Sequence, residues 1–334
     1  MKPTIDLPIA FFDSGLGGLS VLREAVRIMP QEDYIYFGDS KNAPYGTKTE
    51  EEIRDLSLAH AAHLCSKGIK ALVVACNTAT SAAIASLRET YTDIPVIGIE
   101  PALKPAVRIG SHPSVIVMAT PLTVRGKKLH ELLGRYAQDA DVTMLGCPGL
   151  MEYVEDGELD SPAVRKYLKE LLSPALEKKT DAIVLGCTHY PFLKKTISEI
   201  AGPKVRILDG GAGTARQLQR RLTEEGLLKQ PGPAGHIEYE ESLPEKIPLC
   251  KRLMNMPWCK PWHLFLPETR KACRRQAFYK SHRIQKGRRR RAYCISVLRF
   301  CFSQSPHSVK ASFRSFAVWS RLIPRTTENS SVSF

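Results

Sequence analysis

Two short segments of this 334-residue chain bring a cysteine out of an apolar run into a polar turn. Ala71-Leu72-Val73-Val74-Ala75-Cys76-Asn77-Thr78-Ala79 parallels Ala182-Ile183-Val184-Leu185-Gly186-Cys187-Thr188-His189-Tyr190, and the two lie 111 residues apart. A helix starting after each turn would favour the thiolate, because free N–H groups and the helix dipole lower a cysteine pKa. Two copies predict two similar half-domains whose cysteines approach one ligand from opposite sides. Opposed acid/base groups around one carbon can take a proton from one face and return one on the other, which inverts a stereocentre. The scheme needs one group ionised and its partner protonated, with the roles exchanged in the reverse direction. Thiols suit it, since modest tuning brings their ordinary pKa of about 8.5 close to neutrality. Removing an α-proton also leaves charge to be stabilised, and Asn77, Thr78, Thr188 and turn N–H groups are donors of the right type for a carboxylate. A lone cysteine after a buried strand is ordinarily packing; the matched pair is what points to catalysis.

The elements that must position these thiols are legible as an alternation. Short apolar runs occupy 9–12, 34–37, 71–75, 96–99, 115–119, 142–145, 182–185 and 205–208, each rich in Val, Ile or aromatics and each ending at a polar or glycine-bearing turn. That is the pattern of buried parallel strands. Amphipathic stretches lie between them at 19–28, 50–67 and 164–176, the second opening on Thr49 and three glutamates as an acidic N-cap turn. The alternation predicts an α/β, doubly wound fold with helices on both faces of mainly parallel sheets. Ligands in such sheets bind beyond the C-terminal strand ends. Those ends carry Asp13-Ser14-Gly15, Asp39-Ser40, Cys76-Asn77-Thr78, Glu100-Pro101, Thr120-Pro121, Cys147-Pro148, Cys187-Thr188-His189 and Asp209-Gly210-Gly211.

The net charge of +14 suggests a partner of opposite sign, but it is unevenly placed. Residues 1–242 hold 28 basic and 31 acidic side chains, whereas residues 243–334 hold 20 basic and 3 acidic ones. The balanced part can bury a sizeable core. The first residues lack an apolar signal-peptide core, and no run of about 18 apolar residues appears, so neither export nor a transmembrane helix is expected. A reducing cytosol and free thiols are the corresponding expectation. Cys65, Cys76, Cys147 and Cys187 form no CxxC pair, which disfavours zinc ribbons and thioredoxin-type redox chemistry.

The segments Phe12-Asp13-Ser14-Gly15-Leu16-Gly17-Gly18-Leu19-Ser20-Val21, Tyr36-Phe37-Gly38-Asp39, Pro44-Tyr45-Gly46, Ala75-Cys76-Asn77-Thr78-Ala79 and Leu185-Gly186-Cys187-Thr188-His189-Tyr190-Pro191 together resemble the glutamate racemases, over about residues 7–242. The resemblance implies interconversion of L- and D-glutamate without pyridoxal phosphate or metal, supplying D-glutamate for peptidoglycan. It implies Cys76 as the base toward D-glutamate and Cys187 as the base toward L-glutamate. Asp13 and His189 would assist the two thiols, and Glu155 matches a further acidic position. Asp13, Ser14, Pro44, Tyr45, Gly46, Asn77, Thr78, Thr188 and His189 would line the substrate site. Two α/β domains would flank that site, the first taking back the C-terminal part of the chain. This gives 1–97 with about 212–256 as one domain and 98–211 as the other.

Blander readings stand beside these. Residues 13–18 could be a phosphate cradle, although they lack the GxGxxG order and the Walker lysine. Asp13 could be only an N-cap, Asp39 a turn residue, His189 a core histidine and Glu155 a solvated helix charge. Cys147 imitates the repeat without its polar turn and reads as packing, as does Cys65. Gly210, Gly211 and Gly213 are expected to shape a turn into a helix at 214–222, and residues 245–254 a closing helix disturbed by Pro248. From about Pro257 the chain resembles nothing in its body. It is rich in Arg, Ser and Cys, has no Asp, and carries the run Lys286-Gly287-Arg288-Arg289-Arg290-Arg291. It reads as a disordered or aberrant extension, through which alone nucleic acid would be bound. That leaves two rival readings: a racemase fold rendered inactive by the aberrant C-terminus, and a nucleic-acid-binding protein acting through the tail. A homodimer is left open, and no membrane partner is expected.

Overall fold

A computed structural model describes residues 3–136 and 138–257 of the chain; the basic extension and its arginine run lie outside the described residues. Nine strands are present among them: β1 (Ile9–Asp13), β2 (Tyr34–Gly38), β3 (Ala71–Val74), β4 (Val96–Gly98), β5 (Ser114–Ala119), β6 (Asp141–Gly146), β7 (Ala182–Leu185), β8 (Arg206–Asp209) and β9 (Ile237–Glu241). All pair in parallel, in two sheets ordered β4-β3-β1-β2-β9 and β6-β5-β7-β8. The eight apolar runs read from sequence are β1 to β8, within a residue at each end. The ninth strand is an addition. Its sequence, Ile-Glu-Tyr-Glu-Glu, is too polar to read as a buried strand, and it lies at the edge of the first sheet, where one side needs no partner.

Eleven helices among the described residues connect the strands. The first half carries α1 (Leu19–Ile28), α2 (Glu50–Ser66), α3 (Asn77–Thr90) and α4 (Leu103–Ala106). The second carries α5 (Pro121–Arg125), α6 (Lys127–Gly134), α7 (Leu150–Glu155), α8 (Pro162–Leu176), α9 (Lys194–Ala201), α10 (Gly211–Glu224) and α11 (Ile247–Met254). The start of α2 is a full capping box: Glu52 N donates to Thr49 Oγ1 at 3.2 Å and Thr49 N to Glu52 Oε2 at 2.8 Å. Two expectations are corrected. Gly211 and Gly213 lie inside α10, not in a turn ahead of it. Pro248 occupies the first turn of α11, where its missing N–H costs nothing, so it opens the closing helix instead of disturbing it.

The two sheets share one plan. In each, the first strand is central, flanked by the second and third, with the fourth outside the third. By that correspondence β3 and β7 are equivalent, and these are the strands that deliver Cys76 and Cys187. Alternation along the strands sends side chains to opposite faces. Ile9 and Phe11 join a core that spans both sheets, while Ala10 and Phe12 join a second one under α2 and α3. Ile116 and Met118 face the shared core, and Val115 and Val117 a third one beside α4. Each such large side chain, fully buried, contributes about 1.5–3 kcal/mol, so the strand ends project from a rigid base. Among the described residues no helix is long and apolar enough to cross a membrane.

Candidate active site

Cys76 lies two residues beyond the end of β3 and is the N-cap of α3: its Sγ accepts from Ala79 N at 3.4 Å and lies 3.3 Å from Ser14 Oγ. Cys187 follows β7, but no α-helix starts there. A 3-10 turn, Tyr190–Leu193, intervenes before α9, and Cys187 Sγ lies 3.5 Å from His189 Nδ1 instead. Both thiols line one small pocket, together with Ser14, Tyr45, Gly46, Asn77, Thr78, Thr120, Met151, Gly186, Thr188 and His189. The duplicated strands therefore bring both cysteines to a common space, as the repeat implies.

The expectation that both thiols are lowered toward neutrality does not hold for Cys76. Burial pushes it up to about 12, the Asp13 charge adds to this, and the Ser14 and Ala79 hydrogen bonds only partly offset it. A helix start supplies partial charges at a distance, whereas desolvation acts on the whole thiolate. Burial thus favours the thiol form of Cys76.

His189 is built for charge. Burial opposes its protonation, but Cys187 on one side and Glu155 on the other outweigh burial and raise it well above the usual imidazole range. Its Nε2 lies 2.7 Å from Glu155 Oε1, which also accepts from Leu16 N at 2.7 Å. Glu155 Oε2 accepts from Lys246 Nζ at 2.5 Å and from Ser40 Oγ at 3.2 Å. Burial works against ionisation of Glu155 too, yet its contacts with His189 and then Lys246 and Leu16 hold its carboxyl at about 2. Glu155 is therefore no solvated helix charge: it is buried at the end of α7 and clamps the imidazole.

Asp13 is fully buried at the end of β1 and does not line the pocket surface. It accepts from Gly18 N at 2.9 Å and from Thr188 Oγ1 at 3.4 Å, a tie between the two halves of the molecule. Burial raises its pKa, against the pull of His189 and the Gly18 N–H. Ser14, and not Asp13, is within hydrogen-bond reach of Cys76. The glycines of this loop make room for carboxylate and imidazole: a Cβ at Gly15 would run into Glu155, and one at Gly17 into His189 and Thr188. Close approach to those side chains accounts for the loop without any phosphate.

Pro44 is not among the lining residues; it precedes the 3-10 turn Tyr45–Thr47 that presents Tyr45 and Gly46. Asp39 is buried and accepts from Tyr45 Oη at 2.7 Å, from His60 Nε2 at 2.8 Å and from Asn42 Nδ2 at 3.0 Å, so it holds Tyr45 in place. Burial opposes its charge, but His60 and Tyr45 outweigh it and lower its pKa. Cys147 is packed in the shared core, and Cys65 is half-buried on α2. Thr120, at a strand end but unassigned to the site from sequence, lines it; it donates to Thr123 Oγ1 at 2.9 Å, and Thr123 Oγ1 lies 3.3 Å from Thr78 Oγ1. Ser40 stands at one of the strand ends read from sequence, though without a role; Met151 and Lys246 carry no signal, because neither belongs to a pattern and each arrives from a distant element. Among the described residues no group of three or more His, Cys, Asp and Glu side chains is placed to hold a metal ion.

Two α/β halves of one topology, each presenting a thiol to a shared pocket, define an acid–base enzyme on a duplicated sheet. Residues 16–218 match the family model described as Asp/Glu/Hydantoin racemase, and the chain belongs to that family of racemases. It is 51% identical to the glutamate racemase of Clostridium perfringens over 251 residues, covering 75% of this chain and 96% of that one. Among solved structures it is similar to glutamate racemase isoform RacE1 from Bacillus anthracis, with a TM-score of 0.67, 31% identity, and coverage of 75% and 95%. Glutamate racemase from Escherichia coli, solved with L-glutamate and an activator, gives a TM-score of 0.66 and 33% identity, with coverage of 74% and 95%.

Proposed function

We propose that this chain interconverts L- and D-glutamate by proton transfer between two thiols, with no cofactor, and so supplies D-glutamate for peptidoglycan. The observation that carries the reading is that Cys76 and Cys187 occupy equivalent strand ends of two like sheets and line one pocket. The glutamate racemase relatives support the choice of substrate.

In the direction from L to D, Cys187 acts as base. The charged His189 beside it stabilises the thiolate, and Glu155 fixes the imidazole so that Nδ1 faces the sulfur. The proton of L-glutamate passes to Cys187, and Cys76, held as a thiol, delivers its own to the opposite face. In the reverse direction the roles exchange. Asn77, Thr78, Thr188 and Ser14, with N–H groups of the turns after β3 and β7, hold the carboxylates and stabilise charge developing at the α-carbon. Tyr45 and Gly46 close one wall. The site is buried, so these dipoles act with little competition from water.

The test is exchange of the α-hydrogen in deuterium oxide, with circular dichroism following inversion. The full chain is expected to do both. Cys76→Ala and Cys187→Ala should each abolish inversion, and each should retain exchange with the one enantiomer that its remaining thiol can deprotonate: D-glutamate for Cys187→Ala, L-glutamate for Cys76→Ala. Full inversion by either variant would sink the two-thiol mechanism.

A further inference from the structure

We infer that Lys246 is a positioning residue of the Cys187 half-site, its ammonium group fixing the Glu155 carboxylate against His189. The inference rests on the racemase reading above for its meaning in turnover. Glu155 gives one oxygen to His189 and to Leu16 N, and the other to Lys246 and Ser40. Partners on both oxygens set the planar carboxylate in one orientation. Of the two on Oε2, the ammonium contact at 2.5 Å is charge-assisted, while the Ser40 contact at 3.2 Å is neutral and weaker. An exposed ion pair would contribute little. This carboxylate is only 7% exposed, and its ammonium partner 23%, so its charge must be matched locally.

Lys246 is also held firmly for the task. It ends a 3-10 turn, Pro244–Lys246, that leaves β9 and enters α11. Ser242 N donates to Gly38 O at 2.9 Å, and Ser242 Oγ accepts from Lys41 N at 2.9 Å, which pins the start of the turn to the first sheet. Cys250 and Leu253 of α11 are buried in the shared core and hold the other end. A segment that reads in sequence as a mere closing helix thus delivers a cation to the back of the catalytic pair.

The groups facing Glu155 give the sign of its pH dependence. His189 and Lys246 favour the carboxylate. Asp13, Tyr36, Glu241 and Cys250 disfavour it or are disfavoured by it. Without Lys246 the carboxylate keeps His189 and Leu16 N but loses its one charged contact on Oε2, so Glu155 takes up a proton at higher pH than it does in the unmodified chain. Below that pH His189 loses its ionised partner and Cys187 loses the support of a fixed imidazolium. The defect is confined to the acid limb.

The test uses the full chain with Lys246→Met, Lys246→Gln and Lys246→Arg. Two readouts are followed from about pH 4 to 8.5, because a carboxyl held at about 2 rises by roughly 1–3 pH units when one opposite charge is lost: kcat/KM for glutamate racemisation, and the rate at which iodoacetamide alkylates Cys187, read by mass spectrometry of its peptide. In the Met and Gln variants the acid limb of both profiles should move up by about one pH unit, which is roughly a further tenfold loss at the acid end beyond any loss at pH 8.5. Lys246→Arg should restore the limb. Profiles that superimpose on the unmodified chain would overturn the inference, and so would a loss equal at every pH that arginine fails to repair. Alkylation needs no turnover. If the unmodified chain racemises no glutamate, the proposed function fails while the Cys187 profiles still decide the role of Lys246.

Discussion

Cys76, just beyond β3, has a hydroxyl and a helix N–H as its hydrogen-bond partners, and burial pushes its pKa up to about 12. Cys187, just beyond the equivalent strand of the second sheet, has a charged histidine beside it, and behind that a carboxylate and a lysine. The strand order is common to both halves, so the fold places the two sulfurs alike. The residues just after each cysteine make them unlike: Asn-Thr-Ala runs straight into a helix, whereas Thr-His-Tyr turns an imidazole back onto the thiol. A two-base inversion needs one proton donor and one acceptor at the start. Here duplication supplies the opposed positions, and a few residues after each strand supply the different hydrogen-bond partners of the two sulfurs.

That contrast can be broken by substitution. His189→Asn should have the largest effect, lowering kcat/KM by about 10³-fold in steady-state racemisation assays. Glu155→Gln keeps the shape but gives the imidazole a neutral partner, and a loss of about 10–100-fold is expected. On the other side Ser14→Ala removes one hydrogen bond to a thiol that is already protonated; at roughly 0.5–1.5 kcal/mol it should cost about tenfold at most. If Ser14→Ala were as damaging as His189→Asn, the two half-sites would not differ as described.

A smaller effect concerns Glu241, which ends β9 behind the Cys187 network. Its Oε1 accepts from Ser40 N at 3.0 Å, while its buried Oε2 has no hydrogen-bond partner. Burial pushes it up to about 7. The folded chain then binds this proton more tightly than the unfolded one, so stability falls as pH rises from the ordinary value of about 4.3 to about 7. Glu241→Gln should be more stable above pH 7 by about 2 kcal/mol, a Tm gain of about 5 °C that shrinks toward pH 4. Thermal unfolding at both ends of that range measures it, and an equal gain at both would show that ionisation is not the cause. The smallest effect is expected from ending the chain after Pro257: the racemase rate should match the full chain, while any salt-dependent retention on nucleic acid should vanish. A shortened chain that racemises where the full chain does not would mean that the basic extension silences the site.

Much of this was readable in the sequence, for reasons that particular residues make plain. Buried parallel strands are continuous apolar runs, so β1 to β8 announce themselves, and the polar residues after them mark the site. Cys76, Cys187, Ser14, Thr78 and Thr188 were found that way. Residues whose role depends on tertiary approach left no trace. Ile237–Glu241 alternates weakly because an edge strand can be polar. Lys246 looks like any lysine until the chain returns it to Glu155. The pKa of Cys76 could not be read from its helix start, because burial is a property of the whole fold and opposes the local effect. Pro248 misled in the other direction: its effect depends on where the helix begins, which sequence fixes only to within a few residues.

The returning strand has a consequence for how the molecule is made. β2 is complete once residue 38 has been synthesised, yet its outer edge is filled only by β9, which starts at residue 237. At about 5–20 residues per second, roughly 10–40 seconds of translation separate the two. Throughout that interval the nascent first sheet presents a row of unpaired N–H and C=O groups along Tyr34–Gly38, one of its most apolar strands. The enzyme's own β9 is the group that covers this edge, so the order of translation creates a window in which newly made chains can pair with one another before they can close on themselves.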